Sequence, residues 1–171
     1  MPVILVTGAA RSGKSRRAEA LARAFRGPAV YIATCQPFDA EMAARVARHR
    51  ADRGEGWETR EVPLDLCAAL AATDGGGPRL VDCLTLWLTN VILADRDPEA
   101  EGKTLAHAMA AQAAPVVLVT NEVGWSIVPE NALARRFRDE QGRLNQRLAA
   151  IADRVELVVA GLPLTLKGDP L

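Results

Sequence analysis

Short, nearly continuous apolar runs alternate along this chain with longer stretches whose apolar residues recur every three or four positions. The short runs fall at Val3–Thr7, Ala29–Thr34, Thr59–Val62, Arg79–Asp82, Val116–Thr120 and Val155–Ala160. Runs of this kind read as strands of a parallel sheet covered on both faces. The longer stretches predict helices over Lys14–Phe25, Asp39–Arg53, Leu64–Ala72, Leu84–Ala94, Pro98–Ala113 and Asn131–Ile151. In the last of them Leu133, Phe137, Leu144, Leu148 and Ile151 stand three, four and seven residues apart, which predicts one buried face. Three glycines between Ala72 and Pro78 mark a turn. The alternation predicts a three-layer α/β domain, a single unit over residues 1–171, with its site at the C-terminal ends of the strands.

The first strand runs straight into Gly8-Ala9-Ala10-Arg11-Ser12-Gly13-Lys14-Ser15, which in turn opens an alanine-rich helical segment. Strand, loop and helix in that order are the context in which G-x-x-x-x-G-K-[ST] means a phosphate cradle. Glycines allow a tight turn, so that successive backbone N–H groups point at phosphate oxygens. Lys14 is expected to reach the β- and γ-phosphates and the Ser15 hydroxyl to ligate Mg²⁺. The helix N-terminus adds about half a positive charge at the same place. A nucleotide is the ligand this loop implies.

Other strand ends carry polar residues at the same edge. Asp82 closes the fourth run, where a carboxylate holds Mg²⁺ through water or, alternatively, caps the next helix. Asn121 and Glu122 follow the fifth and either orient a hydroxyl acceptor, support the metal or merely turn the chain. In the segment 39–53, Arg45, His49 and Arg53 share a helical face, with Arg48 and Arg50 beside it. Guanidinium groups around a histidine keep it neutral and nucleophilic, and they clamp phosphates bidentately. Periodicity alone favours a different reading, a solvated arginine-rich face carrying an ordinary surface histidine. His107 has no such neighbourhood and reads as structural. Trp57, Trp87 and Trp125 read as core or interface residues, with Trp125 also placed to line an acceptor pocket.

Composition narrows the class. Lys+Arg and Asp+Glu both number 21, so no bulk field draws the chain to nucleic acid. No apolar run approaches the ~18–20 residues that span a bilayer, and nothing resembles a signal peptide. Cys35, Cys67 and Cys83 are odd in number and lack metal-type spacing, which fits a reducing, cytoplasmic compartment. Cys67 and Cys83 read as small buried thiols.

Taken in order, the stretches TGAARSGKSRRAEALA, YIATCQPFDAEMAARVARHRADR, WETREVP, LVDCLTLWLTNVI, LVTNEVGWSIVPENALARRFRDEQGRLNQRLA and VVAGLPLTLK span nearly the whole chain. They resemble the bifunctional adenosylcobinamide kinase / adenosylcobinamide-phosphate guanylyltransferase family of cobalamin biosynthesis. The resemblance implies a P-loop nucleoside triphosphate hydrolase-like α/β domain with a mainly parallel sheet, assembled as a homotrimer. It implies phosphorylation of the adenosylcobinamide hydroxyl with ATP or GTP and Mg²⁺, then transfer of GMP from GTP to that phosphate. The second step runs through a guanylylated histidine, and His49 is the histidine of this chain that fits. Nucleotide contacts are implied at Gly8 through Ser15 (with Ala9, Ala10, Arg11, Ser12, Gly13 and Lys14 between), at Thr34, Cys35 and Gln36, at Arg50, Ala51, Asp52 and Arg53, and at Glu61 and Asp82. Ala9 departs from the second glycine expected there, and Arg48 stands where variation is expected. Two other readings stay open: a kinase without guanylyl transfer, and a nucleotide sensor without chemistry.

Overall fold

A computed structural model of the chain describes residues 2–36, 44, 47, 48, 51 and 54–169. Seven strands form one sheet: β1 (Val3–Gly8), β2 (Ala29–Ala33), β3 (Trp57–Glu61), β4 (Arg79–Asp82), β5 (Val116–Val119), β6 (Arg154–Val159) and β7 (Leu162–Lys167). Their order is β3-β2-β4-β5-β1-β6-β7, and every pairing is parallel except β6 with β7. Five described helices connect them: α1 (Lys14–Arg23), α2 (Leu66–Ala72), α3 (Leu84–Leu93), α4 (Pro98–Ala110) and α5 (Ala132–Ile151).

Strand periodicity sorts the side chains into two cores. Ile4, Val6, Tyr31, Leu80, Val117, Val119 and Val158 point to the face covered by Ala18, Leu21 and Ala22 of α1. Their neighbours Val3, Leu5, Val30, Ile32, Val81, Val116, Leu118 and Val155 point to the other face, against α2 through α5. This is the three-layer α/β arrangement, with strands buried on both sides as their continuous apolar runs require. Caps fix two helix starts. Asn131 Oδ1 accepts from Leu133 N at 2.8 Å and Ala134 N at 3.2 Å, and Asp97 accepts from Glu99 N ahead of Pro98.

Several expectations are corrected. In α5, Leu144 and Leu148 are buried and Phe137 half-buried, but Leu133 is 51% and Ile151 38% exposed. The buried stripe is confined to the middle of the helix, where Gln141 and Asn145 share it with Leu144 and Leu148. Of the tryptophans only Trp87 is fully buried, donating through Nε1 to the Leu64 carbonyl at 2.8 Å. Trp57 is half-buried, edge-on to Tyr31 and beneath Arg23, while Trp125 is 70% exposed. Cys83 is buried, but Cys67 only half so. β7 stands where no strand was expected. Ala160 and Gly161 both have positive φ, at 52° and 81°, as a two-residue hairpin turn of the primed type needs.

At the edge opposite the strand C-termini, Arg79 is fully buried at the start of β4. Its guanidinium donates to Asp74 Oδ1 at 2.6 Å, Gln112 Oε1 at 2.7 Å, and the Thr73 and Ala114 carbonyls. Burial works to raise the Asp74 pKa. The Arg79 hydrogen bond, the N–H groups of Ala113 and Ala114 and the Arg79 charge outweigh it and hold the carboxyl well below its ordinary range. A carboxyl depressed by folding adds stability above its unfolded pKa and loses it as pH falls toward the folded value. Arg79→Ala is therefore expected to cost about 3 kcal/mol, with the loss shrinking in acid, as read by urea unfolding at neutral and low pH.

Candidate active site

Because β1 through β6 are parallel, their C-terminal ends meet at one edge. Register aligns Ala33 of β2 with Asp82 on one side and Glu61 on the other. β5 lies between β1 and β4, so its tail, residues 120–122, enters the gap between the phosphate loop and Asp82.

The loop Gly8–Ser15 wraps the N-terminus of α1. Gly13 caps that helix at φ 96°, a left-handed conformation that L side chains rarely adopt. A Cβ there would also meet the Gly161 Cα at 3.2 Å, and one on Gly8 would lie 2.6 Å from the Val158 carbonyl. The turn between β6 and β7 therefore presses on the loop, and Gly161 N–H donates to the Ser12 carbonyl at 2.8 Å. Among the loop's non-glycine residues only Arg11 has positive φ, so alanine at position 9 fits its backbone. Lys14 Nζ donates to the Ala9 carbonyl at 3.0 Å, reaching back across the loop. Ser15 and Lys14 are half-buried, Ala9, Ala10 and Arg11 are exposed, and the buried Ser12 hydroxyl has no hydrogen-bond partner among the described residues.

Asp82 does not cap α3: the N-cap is Cys83, and no side chain caps it. The Asp82 Oδ2 instead accepts from Tyr31 OH at 3.0 Å. Burial pushes the Cys83 thiol up to about 11, with the Asp82 carboxylate adding to the effect and the Lys14 ammonium opposing it. The Asp82 carboxylate and the Lys14 ammonium thus both act on this thiol, with opposite sign. Thr34 is fully buried, and its hydroxyl donates to the Cys83 carbonyl at 2.7 Å and accepts from Cys83 N at 2.9 Å. That side chain is a strut between β2 and β4, while Cys35 and Gln36 beyond it are half-buried. Glu61 is exposed at the end of β3.

Asn121 and Glu122 do more than turn the chain. Asn121 donates to Thr85 Oγ1 of α3 from its backbone N at 3.1 Å and from Nδ2 at 2.8 Å. Glu122 Oε1 accepts from Thr7 Oγ1 at 2.7 Å and Asn145 Nδ2 at 3.1 Å. Sequence reasoning did not reach Thr7, Tyr31, Gln141 or Asn145, and only an amide pair spaced four apart on α5 hinted at the last two. His49, Arg50, Asp52 and Arg53 lie outside the described residues, as does Arg45. Ala51 is helical and exposed, like Ala44, Ala47 and Arg48.

A parallel sheet whose first strand feeds a phosphate loop and helix, with carboxylates at neighbouring strand ends, defines a phosphate-loop nucleotide-binding α/β protein. The chain belongs to the cobinamide kinase / cobinamide phosphate guanyltransferase family, whose model matches residues 4–166. It is 49% identical to the bifunctional adenosylcobalamin biosynthesis protein CobP of Pseudomonas aeruginosa, over 98% of each chain. It is 48% identical to the bifunctional protein CobU of Salmonella typhimurium, over 96% of this chain and 99% of that one. Among solved structures, one from Pyrococcus horikoshii OT3 superposes with a TM-score of 0.56 at 10% identity, covering 99% of this chain and 87% of that one. A type III secretion ATPase gives 0.56 at 10% identity, covering 96% of this chain and 56% of that one. At such identities the two structures speak for the fold alone. Among the described residues, no helix is long and apolar enough to cross a membrane.

Proposed function

We propose that this protein, as one domain over residues 1–171, phosphorylates adenosylcobinamide and then transfers GMP from GTP to the phosphorylated corrinoid. The observation that carries this reading is family membership over residues 4–166 together with an intact loop ending in Gly13, Lys14 and Ser15. In the first transfer the corrinoid hydroxyl attacks the γ-phosphorus in line, and the loop N–H groups and Lys14 stabilise charge on the transferred group. In the second, His49 displaces pyrophosphate from GTP and forms a guanylyl-histidine. The phosphate on the corrinoid then takes the GMP and frees the imidazole. A covalent intermediate divides one difficult exchange into two displacements.

The donor set suits Mg²⁺. The Ser15 hydroxyl and the Asp82 carboxylate are hard oxygen ligands, and Asp82 Oδ1 carries no hydrogen bond among the described residues. One or two such groups plus phosphate oxygens are what this ion takes. When bound it would neutralise phosphate charge. We assign nucleotide contacts to Gly8–Ser15, Cys35, Gln36, Arg50, Ala51, Asp52, Arg53 and Glu61, with Thr34 acting as support. Trp125 and Ile127, 70% and 91% exposed on the loop after Glu122, offer apolar contact to the corrinoid. Three thiols outside any disulfide fit the cytoplasm, and a homotrimer is the assembly the family resemblance implies.

Incubation with α-labelled GTP and Mg²⁺, without corrinoid, tests the reading. An acid-labile, alkali-stable label on the chain is expected. Its absence would leave a kinase without guanylyl transfer.

A further inference from the structure

The structure commits one oxygen of Glu122 and leaves the other open. Oε1 accepts from Thr7 and Asn145, and the Glu122 backbone N–H donates to the Gly8 carbonyl at 3.2 Å. Thr7 and Gly8 are the last residues of β1, so the carboxylate is tied to the root of the phosphate loop. Among the described residues Oε2 has no hydrogen bond.

The tie continues into a buried polar cluster beneath the sheet edge. Gln141 and Thr120 are fully buried, and Asn145 is 8% exposed. Gln141 Nε2 donates to Thr120 Oγ1 and Asn145 Oδ1, each at 2.9 Å, and Thr120 Oγ1 donates to Asn145 Oδ1 at 2.7 Å. With Oδ1 accepting twice, the Asn145 amide has one orientation, which turns Nδ2 to the Asn121 carbonyl at 3.0 Å and to Glu122 at 3.1 Å. Burying three polar side chains costs free energy that apolar packing would avoid. The observed return is a fixed Glu122.

We propose that Glu122 is the general base of the phosphoryl transfer, with Asn145 its positioning residue. The inference rests on the two-transfer reading. As the corrinoid hydroxyl oxygen bonds to the γ-phosphorus, its proton passes to Glu122 Oε2. The bond from that phosphorus to the bridging oxygen breaks, nucleoside diphosphate leaves, and the proton goes on to solvent. Of the other described carboxylates at this edge, Asp82 stands across β5 and is engaged by Tyr31, and Glu61 ends β3 at the far edge of the sheet. Guanylyl transfer to the corrinoid has no need of this base, because its acceptor is a phosphate oxygen without a proton to lose.

The purified full chain separates the two steps. Glu122→Gln is expected to lower kcat for phosphorylation of adenosylcobinamide by about 10²–10⁴-fold with the nucleotide KM unchanged, while the chain still takes label from α-labelled GTP. Asn145→Ala is expected to lower kcat to a lesser extent, again without a change in KM. Glu122→Gln turning over at the wild-type rate overturns the proposal. So does a joint loss of phosphorylation, label and nucleotide binding, which would make Glu122 a support of the fold. A wild-type chain that forms neither product removes the two-transfer reading itself, an outcome visible before any variant is compared.

Discussion

Lys14→Ala is expected to lower phosphoryl transfer by on the order of 10²–10³-fold and to weaken guanylylation of the chain with it. The loop offers backbone N–H groups at the helix N-terminus, but Lys14 carries the mobile full charge that can follow the transferred group. Its Nζ lies across the loop on the Ala9 carbonyl at 3.0 Å, a weak contact that a phosphate readily replaces. Its charge also acts on the same thiol as that of Asp82. Lys14 is the first residue of α1 and half-buried, and alanine is the best helix former, so the melting temperature should hold. Steady-state rates with each nucleotide, read beside a thermal melt, check both halves of that statement. A variant that keeps its rate would remove the loop from the chemistry.

His49→Ala is expected to abolish the label from α-labelled GTP and the guanylylated corrinoid, and to leave phosphorylation intact. In the proposed mechanism GMP is held on the His49 imidazole, so without it the two displacements of the second transfer lose their intermediate. Phosphoryl transfer needs the loop and a proton acceptor and makes no covalent enzyme adduct. Product analysis of the variant with adenosylcobinamide and GTP should therefore stop at the phosphorylated corrinoid. Equal loss of both products would mean that His49 serves the whole site and not the second step.

Most of the sheet was legible because a parallel strand buried on both faces leaves an unbroken apolar run. The fourth run was read as Arg79–Asp82 and stands there, and the others agree within one or two residues. The third was placed too late, at Thr59–Val62 instead of Trp57–Glu61, because an edge strand half open to water carries Glu58 and Arg60 among its apolar positions. β7 went unread although Leu162, Leu164 and Leu166 alternate with Pro163, Thr165 and Lys167. Its leucines are exposed, and Ala160-Gly161 lacks the Asn-Gly signature of a tight hairpin.

The site divides in the same way. Gly8 through Ser15 are a local motif, and Asp82 and Glu122 were singled out because one ends an apolar run and the other follows one. The cluster of Thr120, Gln141 and Asn145 depends on residues 21–25 positions apart meeting across the sheet edge, and no local pattern records that meeting. Geometry removes the helix-cap reading of Asp82, since Cys83 is the helix cap and Tyr31 holds the carboxylate. Thr34, a nucleotide contact that the family resemblance implied, has its hydroxyl engaged on both sides by the Cys83 peptide. Burial of that kind cannot be read from a strand-end position.

The central claim is that one domain performs two different transfers in order. Mass-resolved analysis of the corrinoid after incubation with wild-type protein, GTP and Mg²⁺ tests it most directly. The account predicts a phosphorylated corrinoid that appears first and is consumed as a guanylylated product and pyrophosphate rise together. Accumulation of the phosphorylated corrinoid with no guanylylated product, or unchanged corrinoid beside tightly bound GTP, would contradict it.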